Sequence, residues 1–239
     1  MQESTTGPRA DRVGRRGFLR LGGAGLMLPA AAGLTFSDLA VTRAWAQEAG
    51  APTQSSDGTI DLGSGDLGVL NYAYALEQLE AAFYTQVGAT PYAGMTRAER
   101  DILTDIRDHE IAHREFLKAA LGGNRIPDLA VNFGAIDFGS REAVLTTART
   151  FEDLGVAAYN GGGAAISNPD FLLLAGKIVS VEARHAAAIR DLLAPGTSAF
   201  AGDDVVDPAT GLDRALPPSA VLAAAAPFIA TPISARAFA

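Results

Sequence analysis

The tetrad Glu-x-x-His occurs twice in this chain, as Glu110-Ile111-Ala112-His113 and as Glu182-Ala183-Arg184-His185. Residues three apart share one face of a helix, so in each tetrad a carboxylate and an imidazole can reach the same point. One tetrad is weak evidence, because glutamate is common on helices. Two of them, each deep inside a helical pattern, call for a fold in which two helices turn these faces inward. Two other helical segments carry a second matched pair. Glu77 precedes Tyr84 by seven residues, and Glu152 precedes Tyr159 by the same interval. That interval is two turns along one face. The chain therefore reads as two halves, each a Glu-x6-Tyr followed by a Glu-x-x-His.

The periodicity predicts four helices. The first covers about 66–87, where Leu70, Ala73, Tyr74, Leu76, Phe83 and Tyr84 recur at helical spacing. The second covers about 96–121 and opens with Thr96 three residues before Glu99, a capping-box spacing, before stopping at Gly122-Gly123. The third starts at Ser140 and runs to about 159, where Gly161-Gly162-Gly163 is expected to weaken or break it. The fourth starts after Asn168, with Pro169 in its first turn, and ends at Pro195-Gly196. Short loops make the first and second helices antiparallel, and likewise the third and fourth. The long connection over about 124–139 leaves roughly 18 residues between the second and third helices, which can reach ~60 Å at about 3.3 Å per residue, twice the ~30 Å of a 20-residue helix. The expected fold is all-α: a four-helix bundle with one long crossover between its second and third helices.

In this arrangement Glu77, Glu110, His113, Glu152, Glu182 and His185 all lie near the middle of their helices. Taken singly, each acid is more often a solvated surface charge. Taken together, spacing and helix pattern agree on one interior site. Four interior carboxylates repel one another unless cations are present. Two divalent ions supply matching charge, and two neutral imidazoles complete the set. Such mixed ligands suit iron or manganese, with zinc still open. A Glu from each of two helices plus a Glu-x-x-His from each of the other two is a known dinuclear bundle arrangement. Tyr84 and Tyr159 lie on the ligand faces, where they either hydrogen-bond the carboxylates or pack as core aromatics. Glu80 shares the Glu77 face and reads as a polar position or as an acid behind the ligands. His109 lies behind the ligand set or at the surface. Asp153 either orients a ligand histidine or is a surface acid, and Arg184 faces outward.

Composition narrows the classes. The chain has 239 residues and a net charge of -8, which argues against a nucleic-acid partner. It has no cysteine, so disulfides, zinc–thiolate sites and thiolate-bound iron–sulfur clusters are excluded. Residues 1–46 read as an export signal: Arg15-Arg16, an apolar stretch from Leu21 to Leu34, and Ala44-Trp45-Ala46 before Gln47. The paired arginines resemble the twin-arginine class. Cleavage after Ala46 would leave 13 basic and 24 acidic residues, suiting a periplasmic or otherwise exported protein that meets a membrane only during export. Residues 47–65 read as a flexible linker, 66–195 as the bundle, and 196–239 as an extension packed on the bundle or on a partner copy. In that extension, 221–226 is expected to form a short helix.

The segments LNYAYALEQLEAAFY (70–84), RDHEIAHREFL (107–117), TFEDLGVAAYNGG (150–162) and VEARHAAAIRDLL (181–193) resemble the ferritin-like domain proteins, an often exported bacterial branch of the ferritin–rubrerythrin superfamily. The resemblance covers roughly 66–194, with all six ligand positions in order. It implies a di-iron site with Glu77 and Glu182 in terminal or bridging roles alongside Glu110, Glu152, His113 and His185. It departs from full rubrerythrins in lacking a four-cysteine module for electron delivery. The signal and the proline-rich tail depart from the cage-forming ferritins. The activity it implies is that of an exported di-iron oxidase or peroxidase acting with O2 or H2O2, for iron oxidation or oxidant defence. A manganese catalase and a non-enzymatic metal-binding, stress-protective protein are the alternatives.

Overall fold

The computed structural model describes residues 50–235. The export signal read in 1–46 lies outside the described residues. Four long helices dominate: α1 (Gly65–Ala89), α2 (Arg97–Leu121), α3 (Arg141–Gly163) and α4 (Pro169–Leu193). A short α5 (Pro218–Ala225) follows. Among the described residues there are also three two-residue strands, β1 (Thr53–Gln54), β2 (Ile60–Asp61) and β3 (Ile233–Ser234). Among the described residues, no helix is long and apolar enough to cross a membrane.

Local chemistry sets the helix starts. The capping box at α2 is complete: the Glu99 amide donates to Thr96 Oγ1, and the Thr96 amide donates to Glu99 Oε2 at 2.8 Å. Ser140 Oγ accepts from the Ala143 amide at α3, and Asn168 Oδ1 from the Asp170 amide at α4. Asp66, in the first turn of α1, accepts from the Ser167 and Asn168 amides at 2.6 and 2.9 Å. That ties the start of α1 to the turn between α3 and α4.

Helices α1 and α2 pack as one pair and α3 and α4 as another; the pairs meet through α1 against α3 and α2 against α4. Tyr84 of α1 bonds to Glu152 of α3, while Tyr159 of α3 bonds back to Glu77 of α1. Each tyrosine lies two turns after its own helix's glutamate. Both bonds can form only if α1 and α3 run antiparallel about an approximate twofold axis.

α1 is buried on nearly every side, with Leu67, Tyr72, Tyr74, Leu79, Phe83 and Val87 all in the core. Such a helix needs cover all round, and the crossover supplies it. The Ile126 amide donates to Asn71 Oδ1 at 2.8 Å, and the Leu129 amide donates to Gln78 Oε1 at 2.7 Å. Asn71 and Gln78 are two turns apart on one face of α1, so the connection is held along that helix. The tail covers the crossover in turn: the Ala230 amide donates to Ala130 O and the Asn132 amide to Phe228 O. Phe83, Phe133, Phe138, Phe151 and Phe228 interlock there, with Phe151 and Phe228 edge-to-face at 4.8 Å.

Two segments differ from their sequence reading. The glycines 161–163 do not break α3, which continues through Gly163. A Cβ on Gly161 would fall 1.8 Å from Leu216 O, where the tail crosses and the Leu216 amide bonds to Ala157 O. Glycine costs about 1 kcal/mol in a helix, and here it admits another backbone. Residues 53–61, read as part of a flexible linker, form a hairpin whose second strand pairs in parallel with β3, Ile60 opposite Ile233. Ile60 and Leu62 are 2% and 0% exposed. Two apolar residues among polar ones carry too short a pattern to mark a strand. α5 forms where a short helix was expected and buries Val221 and Ala225.

Candidate metal centre

The side chains of Glu77, Glu110, Glu152 and Glu182 project from mid-helix into the space between the two helix pairs, and all four are 0% exposed. His113 and His185, one turn after Glu110 and Glu182, join them. Nδ1 of His113 lies 3.0 Å from Glu182 Oε1, 3.5 Å from Glu77 Oε2 and 3.6 Å from Glu110 Oε2. Nδ1 of His185 lies 2.7 Å from Glu110 Oε1, 3.4 Å from Glu152 Oε2 and 3.8 Å from Glu182 Oε2.

These atoms form two groups, each able to hold a metal ion: Glu77, Glu110, His113 and Glu182, and Glu110, Glu152, Glu182 and His185. Glu110 and Glu182 belong to both. Each turns one oxygen to either group, so each could serve both ions if two were bound. Glu77 and Glu152 belong to one group each and would serve one ion each. The shared pair thus comes from the two Glu-x-x-His tetrads, a division that spacing alone does not give.

The residues fit two cations on a direct observation. Glu77 Oε2, both oxygens of Glu110 and Glu182, Glu152 Oε2 and both Nδ1 atoms are buried without a hydrogen bond. Buried polar atoms are nearly always satisfied. Here they approach each other closely yet make no aligned donor–acceptor pair, as lone pairs do when they converge on a shared point. Without cations the burden falls on protons. Burial raises the Glu110 carboxyl well above its usual range, with Glu182 adding to the rise. Burial lowers the His113 and His185 imidazoles, but the surrounding carboxylates outweigh it and raise both to about 12.

The two tyrosines are part of this site, not merely core aromatics. Tyr84 OH donates to Glu152 Oε1 at 2.5 Å, and Tyr159 OH donates to Glu77 Oε1. Each bond occupies one oxygen of an unshared carboxylate and leaves Oε2 toward its metal group. Burial, then the adjacent glutamate, pushes both phenols well above their ordinary value, so both keep the proton they donate.

His109 is an exposed residue whose Nδ1 lies 2.9 Å from His185 Nε2, with the rings 10° from parallel. An imidazole that offers Nδ1 to a metal carries its proton on Nε2, so His185 donates and His109 accepts. The signal for this was its place one residue before Glu110, on the neighbouring helical face. Asp153 does not orient a histidine. It pairs with Arg190 at 2.7 and 2.8 Å, and Arg190 also holds Asp204 of the tail. A guanidinium with a planar two-oxygen match is the stronger attractor. Glu80 is 4% exposed, a buried acid and not a plain polar position. Arg184 faces solvent.

No curated protein matches the chain. The sequence profile described as the ferritin-like domain matches residues 65–195. That segment is more than half of the chain and holds all four long helices with every residue of the two metal groups. The chain belongs to the ferritin-like domain family.

Proposed function

We propose that this protein holds two iron ions between its helix pairs and uses them to reduce O2 or H2O2, as an exported oxidase or peroxidase of the ferroxidase or oxidant-defence type. The observation that carries this reading is the set of eight buried, hydrogen-bond-free ligand atoms arranged as two overlapping groups with two shared carboxylates. A purely structural ion needs one closed site, whereas two ions held by Glu110 and Glu182 together would supply two-electron redox chemistry at one place.

The chain's own contribution is geometry and charge. Four carboxylates balance two divalent ions, and the imidazoles add ligands without adding charge. Glu110 and Glu182 tie the two groups together. Tyr84 and Tyr159 fix the terminal carboxylates, so that each presents one oxygen inward. His185 is fixed in its Nδ1-ligating tautomer by His109, which also joins the buried ligand to the solvent side of α2. Export in an already folded, metal-loaded state is part of the same proposal and rests on Arg15-Arg16 and the apolar stretch after them.

The test is metal analysis of the purified protein beside a Glu110→Ala/His185→Ala variant, followed by mixing the Fe(II)-loaded protein with O2 or H2O2. About two irons per chain, lost in the variant and oxidised on mixing, support the reading. Two manganese ions with O2 release from H2O2 would replace it with a catalase. Absence of metal, with melting unchanged in the variant, would leave a bundle with no metal role.

A further inference from the structure

The tail crosses the α3–α4 pair without closing on it. Between them lies a cavity of about 590 Å³, within the ~300–1,000 Å³ range of small-molecule sites. One wall is helix: Val156 and Ala157 of α3 with Ala183, Ala186 and Ala187 of α4. The other is tail: Phe200, Val205, Val206 and Leu216. None of the six candidate metal ligands lines it. The helix side chains are small, so space remains where bulkier residues would fill it. Phe200 is 55% exposed, a large ring left in water at an apolar cavity. An apolar occupant would relieve that exposure.

The tail wall is held at both ends. Arg190 is 5% exposed and makes five hydrogen bonds, one for each N–H of its guanidinium. They go to both oxygens of Asp153, both of Asp204, and Ala199 O. At the other end the Leu216 amide donates to Ala157 O, and Asn160 Nδ2 donates to Arg214 O. In between, the Arg214 amide donates to Val205 O, which folds the arm on itself. A wall fixed in this way costs little ordering when a ligand binds.

Charge indicates the other end of that ligand. The lining holds Arg149, Arg190 and Arg214 against Asp153, Asp204 and Asp213. Arg190 takes up Asp153 and Asp204, which leaves Arg149 and Arg214 with Asp213 alone. Both of these arginines are exposed. Among the described residues, neither guanidinium finds a hydrogen bond or an ion pair. They come from opposite walls, α3 and the tail, and their planar forks suit a carboxylate or a similar anion.

We propose that this cavity binds a small apolar molecule with one anionic end. Its body lies against the alanine face and Phe200, and Arg149 and Arg214 hold the anion. The site shares no residue with the metal groups, so it stands or falls apart from the two-ion reading.

Anilinonaphthalene sulfonate is a suitable probe, because it joins an aromatic body to one anion and fluoresces when that body leaves water. The full-length protein is titrated as wild type, Arg149→Gln/Arg214→Gln, Ala187→Phe and Leu172→Ser/Leu173→Ser. The last is the control for apolar surface elsewhere, since Leu172 and Leu173 are 48% and 60% exposed. The expected result is one probe per wild-type chain. Affinity should fall about tenfold or more in the arginine variant, as loss of charge-assisted hydrogen bonds implies. Ala187→Phe should abolish binding by filling the space, and the leucine variant should bind as the wild type does. Octanoate should displace the probe, and octanol should do so about tenfold less well. Equal affinity in the wild type and both cavity variants, or loss in the leucine variant alone, would overturn the proposal. Equal displacement by octanol and octanoate would overturn the anionic end. Binding that appears only as the protein dissociates on dilution would assign the cavity to a second copy and overturn the proposal too. Because Arg149 and Arg214 are exposed, their variant keeps the test open should Ala187→Phe fail to fold.

Discussion

The two halves of the centre are built from the same ligands and set in different surroundings. On the His113 side, the imidazole is 13% exposed in its side chain, and its helix is the amphipathic α2. On the His185 side, the imidazole is 5% exposed and is backed by His109 at 2.9 Å. α1 brings Glu80 after Glu77, where α3 brings Gly155 after Glu152. α1 is wrapped by the crossover, while α3 buries mainly one face. A near-symmetric ligand set with asymmetric support would give two bound ions different environments.

The largest effect that would test this comparison comes from the shared ligands. Glu110→Ala should cost both ions, because each group loses a carboxylate and the bridge opens. Glu77→Ala should cost only the His113-side ion. Metal counts per chain check this, and equal losses from both variants would remove the distinction between bridging and terminal roles. Next, His109→Leu should weaken the His185-side ion about 10–100-fold, as loss of a ligand's hydrogen-bond partner does elsewhere. Stepwise metal titration should show the other ion nearly unaffected; an equal fall at both would mean that the halves are not separately supported. Smaller still are Tyr84→Phe and Tyr159→Phe. Each should weaken its own side by about 1–2 kcal/mol, the cost of an unsatisfied buried acceptor, read as about tenfold in affinity.

The smallest effect lies away from the centre and serves as its control. Glu99 closes the cap of α2 and also accepts from Arg141 Nε at 2.6 Å, while Arg141 Nη2 donates to Leu192 O at the end of α4. Burial raises the Glu99 carboxyl, but the Thr96 amide and the Arg141 guanidinium hold it down to about 2. A depressed acid stabilises the fold above its ordinary value of 4.5 and loses that contribution as pH falls through about 2. Arg141 is 41% exposed, so screening limits the contribution to about 1 kcal/mol. Glu99→Gln should flatten the acid limb of the melting profile below pH 4.5 and leave metal binding as it was. A change at the centre would show that the caps and the metals are coupled.

The sequence carried the helices and the ligands because both obey short, regular spacings. Thr96 and Glu99, Asn168 and Pro169, and the two Glu-x-x-His tetrads can be read by counting. What escaped depends on residues far apart in the chain. Gly161–Gly163 looks like a helix break until Leu216 is laid over it. Asp153 lies beside the ligand Glu152, but Arg190 and Asp204, from another helix and from the tail, decide its partner. The identity of the shared pair depends on which helices face each other diagonally. Glu80 reads as an ordinary polar position until Gly155, on a different helix, is seen to leave room for it. Residues 53–61 lack the length to show alternation and become strand only by pairing with 233–234.

That last pairing bears on the order in which the chain can assemble. The hairpin that carries Ile60 finds its neighbour only at Ile233, and the crossover over α1 finds its cover only at 228–231. Ribosomal synthesis proceeds from the N-terminal end, and local contacts form before distant ones. The four helices can therefore pair while residues 228–234 are still unmade, but the crossover stays uncovered until then. Until the last segment of the chain arrives, the crossover backbone at Ala130 and Asn132 and the core edge of Ile60 stay open to water.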